Sequence, residues 1–293
     1  MKSQGGEKSS KEHMPQHLMA SALAAAINYP LWRVSAMGQS GFRVSPSSLS
    51  SYLAPLHPSL QPYAYAFAPP YKGMMAVILG MTWARAAIFW GSDMGKEYLK
   101  KHHGNWIPPS VYTLLPPLVV STLVQCVNQP IVRASITLQN PQSQLSTTRD
   151  AVKYIYTNHG LKGLWHGTSA GILKTVPKYC TAILVKDYME KVLPHPEKDS
   201  DVYERDRLLR SACKSAAAGI AGATLTNPLD VIRNEMFKTN QSLIQTIKSL
   251  HLEFDGSAKW MMRGMGKNLI AVSVPVGCTI FFTDTLIQLS GSK

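Results

Sequence analysis

Three charged residues of this chain lie inside apolar stretches, where a charge needs water or a partner. Asp230 and Arg233 belong to the segment NPLDVIR, which follows the small-residue run SAAAGIAGATLT. Because they are three positions apart, they share one face of a helix just beyond Pro228. Lys174 lies in another apolar segment, GILKTVP. Charges in such places hold ions or form gates, so the pattern indicates a binding or gating function.

The segment around Pro228 has two weaker counterparts upstream, NYPLWR around Pro30 and NQPIVR around Pro130. The prolines are about 100 residues apart, and a fixed period indicates an internal repeat. Proline inside a helix removes a backbone donor and kinks the helix. Each proline follows an asparagine and precedes an arginine by three or five positions, and these arginines are Arg33, Arg133 and Arg233. The sequence therefore predicts three units, each with a kinked helix.

With these motifs the chain resembles the mitochondrial carrier family, whose repeats carry Pro-x-[Asp/Glu]-x-x-[Lys/Arg] on one helix. A second family motif ends in an aromatic, a basic residue and glycine. It is similar to HGLKGLWHG and DGSAKWMMRG in the second and third units, and the first unit keeps YKG. The resemblance covers residues 15–290. It implies an all-α, multi-pass protein of the mitochondrial inner membrane, with six transmembrane helices in three pseudo-symmetric repeats and short matrix-side surface helices.

On this resemblance the chain divides into a polar tail and three carrier repeats. The tail is residues 1–16, and the repeats are residues 17–104, 105–200 and 201–293. We expect transmembrane spans at residues 17–40, 74–98, 111–138, 168–193, 208–237 and 267–289. Amphipathic spacing predicts surface helices at residues 147–159 and 242–254.

Residues 41–70 depart furthest from the family pattern. They include SPSSLSSYLAPLHPSLQPYAYAFAPP, where the family has a short amphipathic helix. Prolines at that density disfavour a regular helix, and the aromatic residues disfavour a flexible linker. We expect an ordered, irregular loop, which is either a docking surface or a segment that has drifted without a function.

The resemblance also implies a gate on the matrix side, closed by ion pairs between repeats. Each pair joins an acid two residues after one proline to a base five residues after the next. Here the acidic positions hold Trp32, Val132 and Asp230, and the basic positions hold Ser35, Ser135 and Arg233. None of these ion pairs survives. The gate candidates that remain are Pro30, Pro130, Pro228, Asp230, Arg233, Arg33 and Arg133, with Gln39 and Gln139 at the position of the family's bracing glutamine.

Lys174 is the strongest substrate-contact candidate. With Thr175 it resembles the basic and polar pair that many carboxylate carriers use, although a lysine near a helix end can also extend to the membrane interface. The aligned contact position of the second span holds Gly80. Arg85, in the same span, either reaches a central cavity or extends to an interface. The resemblance places the outer gate at Asp93, Lys96 and Asp187.

The net charge is +13 and the isoelectric point is near 9.6. The basic residues are scattered rather than interleaved with aromatics, which argues against nucleic acid as a partner. Contacts with anionic membrane lipids explain the same excess of charge. We expect no cofactor, with cardiolipin as a candidate bound lipid.

The sequence contains no pattern for catalysis or for metal binding. It has no H-E-x-x-H and no phosphate-binding G-x-x-x-x-G-K-[ST] motif. The spacing G-x-S-x-G occurs at residues 167–171, but at the start of a predicted span rather than on the strand-to-helix turn that this catalytic motif requires. Its four cysteines lie singly, without C-x-x-C spacing. We therefore expect no catalytic residue, no metal ligand and no enzyme.

Two hypotheses for the function remain open. The first is a carrier that moves a small anionic metabolite across the inner membrane by alternating access. The second is a carrier-fold protein that no longer transports and serves as an accessory subunit of a large inner-membrane complex, either a respiratory complex or ATP synthase. The lost gate ion pairs favour the second hypothesis, and Lys174 favours the first.

Overall fold

The computed structural model describes residues 14–44, 55–69, 71–103, 106, 108–194, 203–275 and 278, and this part of the chain is all-helical. The helices are α1 (Met14–Ile27), α2 (Tyr29–Ser40), α3 (Gln61–Phe67), α4 (Met74–His103), α5 (Pro109–Thr137), α6 (Thr148–Leu164), α7 (Thr168–Leu173), α8 (Thr175–Val192), α9 (Tyr203–Thr239) and α10 (Leu243–Glu253). A 3₁₀ turn at Ala258–Met262 leads into α11, which is helical at residues 265–275.

Helices occupy the first five predicted spans and the start of the sixth, whose remaining residues lie almost entirely outside the described part. The three prolines are accommodated in two ways. Pro30 lies in the first turn of α2, where its missing donor costs nothing, and the chain breaks from helical geometry just before it, at Asn28. In contrast, α5 continues through Pro130 and α9 continues through Pro228.

Both predicted surface helices begin with reciprocal capping. The Thr147 hydroxyl accepts from the backbone N–H of Asp150, whose carboxylate accepts from the backbone N–H of Thr147. Ser242 and Gln245 form the same capping box at the start of α10. Such boxes satisfy free donors of the first turn, so these two helices start where their local sequence directs.

The same packing arrangement occurs three times in the fold. In each case, the part of a helix beyond its proline packs on the following helix through buried apolar side chains. The clusters contain Val34, Met37 and Ala66 for α2 and α3; Ala134, Leu138, Ala151, Ile155 and Leu164 for α5 and α6; and Val231, Ile232, Met236, Leu250 and Trp260 for α9, α10 and the 3₁₀ turn. Short helices therefore brace all three proline-containing segments.

The expectation of an irregular loop at residues 41–70 is wrong for Gln61–Phe67, which form α3. Pro62 lies in the first turn of this helix, a position that tolerates proline. Ala66 is fully buried and packs with Val34 and Met37 of α2. Tertiary packing thus stabilises a helix that the proline content disfavours. The prediction for residues 45–54 cannot be compared, because they lie outside the described part.

The long helices expose rows of large apolar side chains. Among the described residues, α4 and the stretch Val111–Thr137 of α5 are long and apolar enough to cross a membrane, by length and composition alone. Four-residue spacing places the exposed side chains of each helix largely along one face. They are Met75, Leu79, Trp83, Trp90 and Met94 on α4, and Leu115, Val119, Leu123 and Val127 on α5.

Gly264 closes the motif DGSAKWMMRG and permits a close approach of two backbones. Its φ is +70°, and a Cβ there would lie 2.5 Å from the backbone of Gly38 and of Gln39 in α2. Glycine adopts positive φ at no steric cost, whereas other residues do not. The loop before α11 therefore lies directly against α2 only because residue 264 has no side chain.

Gly264→Ala should destabilise the fold by about 2–4 kcal/mol, because the substitution combines a strained φ with overpacking. Thermal unfolding of the detergent-solubilised protein measures the effect as a fall in Tm. Gly266→Ala is the matched control, since a Cβ at residue 266 meets no atom within 4 Å. Equal Tm values for the two variants would contradict the close approach.

Candidate functional site

The segments around the three prolines meet in a buried polar region, called here the polar end. Its buried polar side chains are Asn28, Arg33, Ser35 and Gln39 of the first segment; Gln129, Arg133, Ser135 and Gln139 of the second; and Asn227, Asp230, Arg233 and Asn234 of the third. The predicted gate residues thus lie together. Buried polar groups need hydrogen-bond partners, and those partners join the helices along three seams.

The first seam joins α2 to the end of α5. Arg33 Nε donates to Gln139 Oε1 at 3.0 Å. The amide nitrogen of Gln139 lies 3.4 Å from the Tyr29 hydroxyl and donates to the carbonyl oxygen of Ser135 at 3.0 Å. A bond between a guanidinium and an amide therefore holds this seam. Among the described residues, no carboxylate accepts a hydrogen bond from Arg33.

The second seam joins α5 to the end of α9. Arg133 donates to the carbonyl oxygen of Gly163, and its second terminal nitrogen donates to Asn240 Oδ1 at 2.9 Å. The guanidinium also lies 6.0 Å from the ring centroid of Phe237, within cation–π range. Nearby, burial lowers the pKa of His166, so its ring is neutral at pH 7. His166 Nε2 donates to the carbonyl oxygen of Gln241 at 2.7 Å.

The third seam joins α9 to α2 and α11 through amide and hydroxyl side chains. Beside them, Arg263 lies 2.6 Å from Glu235 of α9 and donates to the carbonyl oxygen of Gln39 at 2.9 Å. Gln39 Nε2 donates to Asn227 Oδ1 at 3.1 Å, and Asn234 Nδ2 donates to Gln39 Oε1 at 3.3 Å. Ser35 Oγ donates to Asn268 Oδ1 at 3.1 Å. We expected the two glutamines to brace ion pairs that this chain has lost. Instead, Gln39 and Gln139 themselves form the links between helices.

Lys174, Asp230 and Arg233 form a charged cluster beside the second seam. Asp230 Oδ1 lies 2.7 Å from Lys174 Nζ and 2.9 Å from Arg233 Nη2. The three side chains retain 17%, 12% and 11% exposure respectively. Two cations share one carboxylate, and Arg233 Nε is buried without a hydrogen-bond partner. The cluster therefore carries one net positive charge and has a free donor.

Lys174 lies at the junction of two helices. Helix α7 ends at Leu173, and Lys174 is the residue between α7 and α8. Thr175, the predicted partner of Lys174, is buried, and its hydroxyl donates to the carbonyl oxygen of Gly171 at 3.2 Å. Lys174 thus faces α9, whereas Thr175 is bonded within its own part of the chain.

The other predicted site residues lie away from the cluster. Asn128 Nδ2 donates to the carbonyl oxygen of Gly80 at 3.2 Å, so Gly80 contributes to the packing of α4 on α5. Asp93 and Lys96 are half-buried on α4. The side chains of Arg85 and Asp187 lie outside the described part of the structure.

Among the ion pairs that the sequence analysis missed, two sets link the α7–α8 region to α9. One is Lys174 with Asp230; the available signal was that each is a lone charge in an apolar helix and needs a partner. The other is Glu190, which lies 2.7 Å from Arg210 and 2.5 Å from Lys214 and so joins the end of α8 to the start of α9. The four-residue spacing of Arg210 and Lys214 was its signal.

Comparison with known proteins is consistent with this architecture. The sequence profile described as Mitochondrial carrier protein matches residues 109–197. A mitochondrial coenzyme A transporter of Danio rerio is 26% identical over 232 residues, which cover 75% of this chain and 69% of that protein. Mitochondrial ornithine transporter 1 of Saccharomyces cerevisiae is 25% identical over 234 residues, covering 75% of this chain and 76% of that protein. The chain is thus similar to mitochondrial carriers over about three quarters of its length.

Another similar protein is matched over a smaller part of its length. The chloroplastic protein MITOFERRINLIKE 1 of Arabidopsis thaliana is 26% identical over 168 residues, and the matched stretch spans 38% of that protein's length. The profile match covers the residues that contain Arg133, Gln139 and Lys174. The matched residues thus include one side of the charged cluster and one side of the first seam.

Asp230→Asn should destabilise the protein more than Lys174→Met. The first change leaves two largely buried cations without their carboxylate and should cost about 3–5 kcal/mol. The second leaves Asp230 paired with Arg233 and should cost about 1–2 kcal/mol. The fall in Tm of each purified variant, relative to the unmodified protein, shows which substitution destabilises the protein more.

Glu253→Gln serves as the control for that comparison. Glu253 is more than half exposed and lies 3.6 Å from Arg263, and exposed pairs contribute about 0–1 kcal/mol. A larger loss of Tm for Lys174→Met than for Asp230→Asn would show that Asp230 is not the shared partner of the two cations.

Proposed function

We propose that this chain is a carrier that moves a small metabolite with an anionic group across the mitochondrial inner membrane by alternating access. The observation that carries the proposal is the charged cluster. Lys174 occupies the predicted substrate-contact position, and it is held by Asp230 of the facing helix at 2.7 Å. A contact residue is thereby linked directly to a gate residue.

The charge of the cluster favours an anionic group. Lys174 and Arg233 together carry two positive charges, and Asp230 supplies one negative charge. One further negative charge would neutralise the set, and the unpartnered Arg233 Nε offers it a hydrogen bond. Charge-assisted bonds from guanidinium and ammonium groups to carboxylates are among the stronger ones in proteins. We therefore favour a substrate with a carboxylate or phosphate group.

Coupling between binding and opening follows from the shared lysine. A substrate anion that bonds Lys174 competes with Asp230 for it, and so weakens a link between the α7–α8 junction and α9. A ligand shifts a conformational equilibrium only by its difference in affinity for the two states. Here the difference would arise because Lys174 can fully bond the substrate only after releasing Asp230.

The membrane location is proposed from the outer surface of the fold and from the relatives. The exposed apolar rows of α4 and α5 suit lipid contact, since helices in lipid satisfy their backbone groups internally. Relatives named as mitochondrial transporters extend over three quarters of the chain. We propose six spans in three repeats, a multi-pass position and no enzymatic activity.

The comparisons lend no support to the accessory-subunit hypothesis. The relatives that match over the greatest length are named as transporters or carriers of coenzyme A, ornithine and carnitine. Cardiolipin binding, the contact roles of Thr175, Gly80 and Arg85 and the outer gate of Asp93, Lys96 and Asp187 stay predictions.

Uptake by liposomes that contain the purified protein tests the proposal. We expect counter-exchange of at least one small carboxylate or phosphate compound from a broad panel. Lys174→Gln should lower the uptake rate at least about ten-fold, because one charge-assisted bond contributes ~1.5–3 kcal/mol. Lys174→Arg should retain more activity than Lys174→Gln, since it keeps the positive charge.

Lys153→Gln is the matched control, because Lys153 is exposed on the surface helix α6. Its uptake should equal that of the unmodified protein. Absence of exchange across the whole panel by a folded protein would refute transport. Equal activity in Lys174→Gln and Lys153→Gln would remove Lys174 from the site.

A further inference from the structure

The segment that departs most from the family pattern packs directly on the first seam. Residues 61–69, together with Tyr71 and Lys72, are called here the strap. Helix α3 within it places Ala66, fully buried, between Val34 and Met37 of α2. The strap thus lies against the same stretch of α2 that contains Arg33.

Arg33 is bonded to the strap by the same guanidinium that holds the first seam. Its Nη1 donates to the carbonyl oxygens of Ala66 at 2.9 Å and Ala68 at 3.1 Å. These carbonyls lie at the C-terminal end of α3, where acceptors lack helical partners and a cation is favoured. Its Nε meanwhile donates to Gln139 at 3.0 Å. One buried side chain therefore links α2, α5 and the strap.

Aromatic rings and a second set of bonds complete the enclosure. The Arg33 guanidinium lies 5.3 Å from the ring centroid of Tyr65 and 5.8 Å from that of Tyr71. The Tyr29 hydroxyl donates to the carbonyl oxygen of Lys72. The Gln139 amide donates to the same carbonyl at 3.3 Å. The strap therefore contacts both sides of the seam.

We infer that the strap is a built-in lock of the first seam and takes the place of an ion pair between α2 and α5. The chain holds Trp32 and Ser135 at the two positions where that pair would lie. The strap supplies carbonyl oxygens and aromatic faces to Arg33, which fix the guanidinium in the orientation that bonds Gln139. The lock itself is a property of the closed structure. Its role in transport rests on the proposed function, because alternating access would require the seam to open.

The lock is tested by the reactivity of a buried position beside the seam. Ser135 is 1% exposed, its hydroxyl has no hydrogen-bond partner, and it lies one turn before Gln139. Ser135→Cys is introduced after Cys126, Cys180, Cys213 and Cys278 are changed to serine. Labelling of the detergent-solubilised protein by a fluorescent maleimide then reports how often the seam opens.

Ala66→Leu should raise the labelling rate about ten-fold or more, because the larger side chain displaces the strap and a bond to a charged group contributes ~1.5–3 kcal/mol. If the Ala66→Leu variant does not fold, Ala66→Val, a smaller change, is measured in its place. Phe67→Ala is the matched control, since Phe67 is half exposed on the same helix. Arg33→Lys, which loses the fork of donors, is the positive control for an opened seam.

Faster labelling in the folded Ala66 variants than in Phe67→Ala establishes the lock. Labelling of the Ala66 variants at the Phe67→Ala rate, while Arg33→Lys labels faster, would overturn it. The assay contains no substrate and no membrane gradient. A failure of transport in liposomes would therefore leave the labelling result unaffected, and the two inferences can fail separately.

Discussion

Burial of positive charge at the point where three helices meet is the constraint that shapes this structure. Arg33 and Arg133 are almost fully buried, and an ionised group in such a place costs several kcal/mol unless hydrogen bonds offset the loss of water. In the described part of the chain, their hydrogen bonds go to carbonyl oxygens and amides, and their faces meet aromatic rings. Arg233 is different, because it shares the carboxylate of Asp230 with Lys174.

This difference divides the polar end into two kinds of contact. The first seam depends on a guanidinium–amide bond of Arg33 and the third on amide–amide bonds of Gln39 and Asn227. These side chains are buried, so a solute does not reach them directly. The charged cluster depends on one carboxylate between two cations, which an anion competes for directly. A substrate would therefore act first on the link between Lys174 and Asp230. The first and third seams would open only as the helices then move.

Local features of this fold could be predicted from the sequence. Spacing placed Asp230 and Arg233 on one face, and their 2.9 Å ion pair confirms it. Capping residues at Thr147 and Ser242 set the starts of two surface helices. In these cases the determining groups lie within a few residues of one another, so periodicity and capping rules suffice.

Long-range features could not be predicted in the same way. Lys174 and Asp230 are 56 residues apart. No local sequence pattern predicts which two isolated charges form an ion pair. Helix α3 was missed because its stability depends on the contact of Ala66 with α2 rather than on its own propensity. The roles of Gln39 and Gln139 were misjudged because the resemblance assigned them to ion pairs, whereas the structure gives them arginine and asparagine partners.

The central claim is that a substrate anion replaces Asp230 on Lys174. A double-mutant cycle on the exchange rate in liposomes tests it most directly, with Lys174→Gln, Asp230→Asn and the combined variant measured against the unmodified protein. Residues that act as one unit give non-additive losses. We predict that the combined variant loses no more activity than Lys174→Gln alone. Losses that multiply, as for two independent sites, would contradict the account.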